Sequence, residues 1–288
     1  MLKMHIELWQ LYTFGAIISL VLFAQFFKLA VQNSKSDASS AILAQGIGAI
    51  SAFLFIPFFE LKFSDNWTHY GLFFLAVIFY ALADRIQTTV RKHLEVSVVS
   101  IVSQVSTIFM LFYGVLLYQE PIGSNQIIGG GLIILANVFV VYKSSAIKFN
   151  RYFWLALSAF FFLATGVSVD IGVSQNFNLA MYVGAALLLP MFLVILFEPK
   201  ALKSIATEFN PRVRKYYLLT GFFWAIAIIL QFKALQTGKI GTVVPLLATN
   251  VFLNVVIAYF FLKERGEIGR KLLAAGLVIL GIYLTTFS

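Results

Sequence analysis

The sequence contains no cysteine. That excludes a disulfide framework, a thiol nucleophile and any cysteine-ligated metal site. Charge is almost as scarce: Asp, Glu, Lys and Arg make up 11% of the 288 residues, against about 25% in soluble domains. Histidine is limited to His5, His69 and His93, far apart and without metal-ligand spacing. No GxSxG, HExxH or Walker signature occurs. The run Gly129–Gly131 sits inside an apolar stretch, where a phosphate-cradling loop has no place. The expectation is a chain that is not an enzyme, with no metal, no cofactor and no ATP-driven step.

What fills the sequence instead is apolar. Hydrophobic residues make up 60% of it, and the mean hydropathy is +0.91. Ten long apolar spans follow one another, at roughly 9–31, 40–59, 69–86, 96–118, 125–142, 152–173, 179–197, 215–235, 241–262 and 268–287. A helix rising 1.5 Å per residue crosses a ~30 Å hydrocarbon core in about 20 residues. The N-terminal MLKMHIELWQ runs into the first span without a small-residue cleavage site, as a retained helix does. A formal net charge of +9 would suggest nucleic acid in a soluble protein. Here most Lys and Arg fall in loops that follow the odd-numbered spans, including Arg91, Lys92, Lys143, Lys148, Arg212, Arg214, Arg265 and Arg270. They read as topology signals, and no nucleic-acid partner is expected. The positive-inside rule puts those loops in the cytoplasm and both termini outside.

The chain states its pattern twice. Ser97–Glu120, SVVSIVSQVSTIFMLFYGVLLYQE, returns 144 residues later as Gly241–Glu264, GTVVPLLATNVFLNVVIAYFFLKE. Tyr80 and Trp224 fall in the same register upstream. The expected fold is therefore all-α and integral to the membrane: ten transmembrane helices as two inverted five-helix repeats, residues 1–146 and 147–288. Outside this scheme, Glu198–Arg212 has apolar residues at helical spacing and reads as a short interfacial helix or as a polar loop.

An ionisable residue inside a span is costly and marks a candidate site. Asp170, in the sixth span, is a candidate proton or cation coupling group. Lys28 is a weaker one, because its long stem can reach the interface. Pseudosymmetric packing would let the two approach. Asp84 and Arg85 read more readily as a solvated helix edge, and Glu120 and Glu264 as caps on the helices that follow them. The fourth span carries Ser100, Ser103, Gln104 and Thr107 as one polar stripe. The ninth carries Thr249, Asn250 and Asn254, with Pro245 interrupting its backbone ladder. Either stripe can line a central cavity, together with Tyr80 and Trp224, or hold neighbouring helices. Gly129, Gly130, Gly131, Gly276 and Gly281 read as close-packing points.

Two further runs carry a resemblance. YGVLLYQEPIGSNQIIGGGLIILANVFVVY begins at Tyr113, and YFFLKERGEIGRKLLAAGLVILGIYL at Tyr259. Each has a long span ending in an acid, a short turn and a glycine-containing last helix. With GTVVPLL at Gly241–Leu247, they resemble the drug/metabolite transporter superfamily, and specifically its EamA-type transporters. The first repeat departs from that pattern, with Ile101 at the proline position. The resemblance implies a secondary transporter of small metabolites, amino acids or drug-like compounds, often an exporter, working by alternating access. It also implies cytoplasmic termini, against the charge count. The partners expected are a small-molecule substrate and lipid, for a monomer or homodimer in a bacterial or archaeal cell membrane. A membrane scaffold or regulatory subunit without transport activity is the alternative.

Overall fold

Asparagine, serine and proline set many of the helix ends. The computed structural model describes residues 7–31, 34–94, 96–141, 150–261 and 268–286. In chain order the helices are α1 (Leu8–Val31), α2 (Asp37–Leu54), α3 (Trp67–His93), α4 (Val96–Tyr118), α5 (Ser124–Val141), α6 (Arg151–Val173), α7 (Leu179–Phe197), α8 (Ala201–Glu208), α9 (Arg214–Thr237), α10 (Ile240–Phe261) and α11 (Ile268–Thr286). No strand occurs among the described residues. Side chains of Ser36, Asn66, Asn150 and Asn178 accept backbone N–H groups at the starts of α2, α3, α6 and α7, satisfying donors that helices leave open.

The ten expected spans appear as helices, with two informative differences. α2 stops at Leu54, short of the expected 59, and passes into a tight turn at Ile56–Phe58. Pro57 in that turn has no N–H to continue the ladder. α3 runs on to His93 instead of ending near 86, so Asp84 lies two turns inside it. α1, α2, α3, α6, α7 and α9 are each long and apolar enough to cross a membrane, and α4, α5, α10 and α11 carry shorter apolar stretches.

Leaving α8 aside, α1–α5 form one half, and α6, α7, α9, α10 and α11 the other. Contacts between the halves repeat on exchange. α1 packs on α9 as α3 packs on α6; α1 packs on α10 as α4 packs on α6; α2 packs on α9 as α3 packs on α7. α2 meets α7, α4 meets α10 and α5 meets α11, each with its counterpart. This is the packing of two related halves about a pseudo-twofold axis. One contact breaks the symmetry: α10 packs on α5, and no comparable α4–α11 contact exists among the described residues. A Cβ built on Gly130 would stand 3.1 Å from Pro245 Cγ, so the proline seats α10 against α5.

Gly129 and Gly281 are the tightest point of α5 on α11: a Cβ on either would lie 2.7 Å from the other's carbonyl oxygen. The expectation for the remaining glycines divides. Gly131 and Gly276 face open space within 4 Å and are not packing points.

The large central core joins α1, α2, α6, α7, α9 and α10 around Ala49, Val183, Ala225, Val243 and their neighbours. Outside it, Phe14, Ile50, Trp67, Leu116, Leu135, Leu196 and Ile279 are exposed. An apolar exterior of this kind suits lipid as the surrounding solvent. The segment expected as a short helix or a polar loop forms the helix α8, which packs against α2. Glu208 accepts the N–H groups of Lys35 (2.8 Å) and Ser36 (3.0 Å), and Ser39 donates to Ala201 O (2.8 Å).

Candidate functional site

Eight helices, four from each half, surround a cavity of about 300 Å³. They are α1, α2, α3 and α4 with α6, α7, α9 and α10; α5 and α11 stay outside it. Most of the wall is apolar, and its polar groups come in pairs from α3, α4 and α9, with one each from α2, α6 and α10.

Asp170 sits in the last turn of α6 and is fully buried, at 0% exposure. A carboxyl group there needs partners, because taking it out of water without them costs several kcal/mol. Two tyrosines supply them. Tyr80 of α3 donates its hydroxyl to Asp170 Oδ2 at 2.6 Å, and Tyr182 of α7 donates to Oδ1. Gly166, one turn earlier, is what lets Tyr80 approach: a Cβ there would lie 2.8 Å from Tyr80 Cε1. The Tyr182 ring is held by Phe73, Phe177 and Phe232. A third tyrosine, Tyr118 of α4, brackets the aspartate along α6, donating to Ser168 O (2.6 Å) and accepting from Gly172 N–H (2.8 Å). Asp170 was legible from the sequence; Tyr182 and Tyr118 were not, because nothing in their own spans sets them apart.

One turn further along α3, Asp84 also reaches the cavity wall. Gln45 of α2 donates Nε2–H to Asp84 Oδ2 at 2.5 Å. This corrects the reading of Asp84 as a solvated edge. α3 continues well past it, so the residue is within the bundle. Its neighbour Arg85 does face outward and pairs with Glu198 at 3.2 Å.

The expected stripes divide between two jobs. Tyr80, Thr107, Trp224 and Asn250 line the cavity with Asp170, and Ser106 joins them. Trp224 stacks on Phe23 of α1 at 4.4 Å. Gln104 points the other way: it accepts from Asn137 of α5 (3.0 Å), and Asn137 also donates to Ala248 O of α10 (2.9 Å). Ser103 Oγ accepts a long bond from Gln104 and is not part of the wall. Thr249 bonds back to Leu246 O on its own helix, and Asn254 accepts from Gln25 of α1 at 3.1 Å. Pro245 lies against α5. The reason is helical rotation: residues three and four apart share a face only as a band, and α4 and α10 each touch α5 on one edge of that band. The side chain of Ser100 and all of Glu264 lie outside the described residues. Lys28 is exposed in the last turn of α1, and the described bonds of Asp170 go to tyrosines instead.

A second cavity, of about 140 Å³, is lined by Phe59, Glu60, Lys62, Ser174, Lys233 and Gln236 among others. Ser174 follows the last residue of α6, four residues beyond Asp170, and Lys233 is next to Phe232, which lines the first cavity. The two cavities therefore have walls that adjoin along the chain at the end of α6 and on α9. Asn178 locks this end, donating Nδ2–H to the carbonyls of Ile56, Phe59 and Glu60 while capping α7.

The model of the EamA-like transporter family matches the sequence twice, over residues 7–142 and 150–287. The chain belongs to the EamA-like transporter family. It is thus a multi-pass integral membrane protein of the drug/metabolite transporter type, and the two family matches coincide with the two halves of the fold. No curated protein matches the sequence. Among solved structures, a crystal structure of a protein superposes with a TM-score of 0.77 at 12% identity, covering 96% of each chain. That likeness concerns the fold alone. Among the described residues no group of three or more His, Asp or Glu is placed to hold a metal ion.

Proposed function

We propose that this EamA-type protein is a secondary transporter that exports a small molecule by alternating access, with the 300 Å³ cavity as its binding site and Asp170 as its coupling group. The observation that carries the reading is the position of Asp170: fully buried, on the cavity wall, and bonded by tyrosines from two other helices. Asp170 and Tyr182 belong to the second half, and Tyr80 to the first. The Tyr80–Asp170 bond is therefore a contact between halves. An ionised carboxylate accepts on both oxygens, whereas a protonated one carries an O–H that must itself donate. Proton uptake on Oδ2 turns the oxygen that Tyr80 bonds into a donor that needs an acceptor of its own, so the Tyr80 bond weakens unless that hydroxyl turns to accept. A proton at this position thereby loosens the joint between halves that alternating access requires to move. The groups that face Asp170 are Tyr80 from α3, Tyr182 from α7 and Tyr118 from α4, with Asp84 a turn away from Tyr80.

The cell membrane of a bacterium or archaeon fits this reading, as the membrane across which such an exporter works. A scaffold needs a centre filled by side chains, and the cavity argues against it. The test is transport in proteoliposomes under an imposed pH gradient. Asp170→Asn should abolish gradient-driven transport with protein levels and melting behaviour retained. Unchanged proton dependence in that variant would remove the coupling role.

A further inference from the structure

The connection from α7 to α9 turns charge of one sign outward. Residues 198–215 hold two acids and five cations, Lys200, Lys203, Arg212, Arg214 and Lys215, and all five cations are exposed. Neither acid offsets them. Glu198 pairs with Arg85 of α3, and Glu208 is buried, accepting the N–H groups of Lys35 and Ser36 at the start of α2. None of the five forms a salt bridge among the described residues; Lys215 lies over the ring of its neighbour Tyr216. α8 itself is docked. Ala201 and Ile205 pack with Ala38, Ile42 and Val194, and Ser39 donates to Ala201 O. Residues three and four apart share a helix face, so this inner stripe leaves Leu202, Lys203, Ala206 and Thr207 on the outside, with Lys200 at the N-cap. Just before, at the end of α7, Leu196 and Phe197 are 72% and 69% exposed. A lipid-facing apolar rim thus passes within a few residues into a cationic surface. The fold does not require this surface. The equivalent connection of the first half, residues 55–66, holds Lys62 against Glu60 and Asp65 and forms only the tight turn at Ile56–Phe58. It lies at the other end of the bundle, beside the start of α7. A topology signal needs only cations in a loop; it does not need them displayed around a docked helix with the acids turned inward.

We infer that the outer face of α8 and the start of α9 bind the headgroups of anionic phospholipids, with the lysines and arginines donating to the phosphates and Leu196, Phe197 and Leu202 meeting the acyl chains. Each Lys or Arg near an anionic leaflet favours association about fivefold. A guanidinium adds a fork of donors that matches phosphate. A zwitterionic headgroup brings its own cation and gains little from this surface. Leu202 beside Lys203 suits a helix at the boundary between headgroup and acyl chain, where an apolar side chain and a cation are both satisfied. The surface uses neither the cavity nor Asp170, so it holds independently of the transporter reading.

Contact quenching in vesicles tests this on the full chain, which has no cysteine of its own. A fluorophore on Thr207→Cys reports from the outer face of α8, and one on Phe63→Cys, also exposed, from the other end of the bundle. Each labelled chain is reconstituted in phosphatidylcholine vesicles with the same small fraction of nitroxide-labelled phosphatidylglycerol or nitroxide-labelled phosphatidylcholine. At Thr207→Cys, phosphatidylglycerol should associate at least about tenfold more strongly than phosphatidylcholine. At Phe63→Cys the two lipids should quench alike. The preference should shrink in 1 M sodium chloride, where the Debye length falls to about 3 Å. Lys200→Gln with Lys203→Gln should lower it by at least about fivefold, and Lys200→Arg with Lys203→Arg should retain it. Equal quenching by the two lipids at Thr207→Cys overturns the inference. So does an equal preference at Phe63→Cys, or a preference unchanged in the glutamine pair. Sodium phosphate should act no more strongly than sodium chloride of the same ionic strength; a larger effect would assign the surface to free phosphate and overturn the lipid reading. The comparison of the two label sites is made with every lysine and arginine in place, so a glutamine pair that fails to fold leaves it decisive.

Discussion

Glu120, just beyond α4, accepts the backbone N–H of Ile240 at 2.9 Å, and that of Gly241 at 3.3 Å, at the first turn of α10. The acid that closes the sequence repeat is a cap, as its matched positions suggested. It caps the helix equivalent to its own in the other half, not the helix that follows it. Gln119 makes this possible: its φ of 52° turns the chain back after α4. A carboxylate on a helix N-terminus gains from both the open donors and the helix dipole. Glu120→Ala should therefore cost about 1–2 kcal/mol of stability, and Glu120→Gln less. Urea or thermal unfolding in detergent reads the difference, and an Ala variant as stable as the parent would remove the capping role. Gln119→Gly should be neutral or stabilising, since glycine adopts positive φ without strain.

The tyrosine pair on Asp170 should behave as one unit. Tyr182→Phe removes a donor to Asp170 without changing the ring packing on Phe73 and Phe177. The expected cost is about 1–3 kcal/mol, because the carboxyl stays buried. With Asp170→Asn already present, the same substitution should cost clearly less. A double-mutant cycle that gives additive losses would show that the two groups do not share their energy.

Glycine positions separate close contact from mere helix flexibility. Gly129→Ala and Gly281→Ala each place a methyl 2.7 Å from a backbone oxygen that cannot step aside. Each should destabilise by about 1–3 kcal/mol. Gly131→Ala and Gly276→Ala meet nothing within 4 Å. Both should be neutral or stabilising by up to about 1 kcal/mol, since alanine favours the helix. The melting temperatures of the four variants order them, and equal losses at all four sites would contradict the packing.

Asn178 should be among the more sensitive polar side chains outside the cavity. Asn178→Asp keeps the oxygen that caps α7 at Met181 N–H but loses the donors to Ile56, Phe59 and Glu60. Asn178→Ala loses both. The aspartate variant should retain the α7 cap, worth about 1 kcal/mol, and still open this end of the bundle. Labelling of Ser174→Cys, buried on the wall of the smaller cavity, reads that opening, since the parent chain has no cysteine. Labelling that stays at the parent rate in both variants would show that Asn178 does not hold the end closed.

Much of the fold was legible in the sequence. Apolar runs long enough to span a bilayer, and a repeat spaced 144 residues apart, follow from composition and register alone. A helix in hydrocarbon must satisfy its own backbone, so length and hydropathy suffice to place it. The sequence also isolated Asp170, because a lone acid in an apolar run is conspicuous. Which face of each helix turns inward was decided only by packing. Thr107 and Gln104 are three residues apart, yet one lines the cavity and the other binds Asn137. Asp84 looked like a helix edge until α3 proved longer. Tyr182, Tyr118 and Gln45 carry no local signal at all, because a tyrosine or glutamine in an apolar span is unremarkable until another helix brings a carboxylate to it. Periodicity fixes the helices, which are made by bonds within a segment. The site is made by bonds between segments, and those exist only once the two halves have packed.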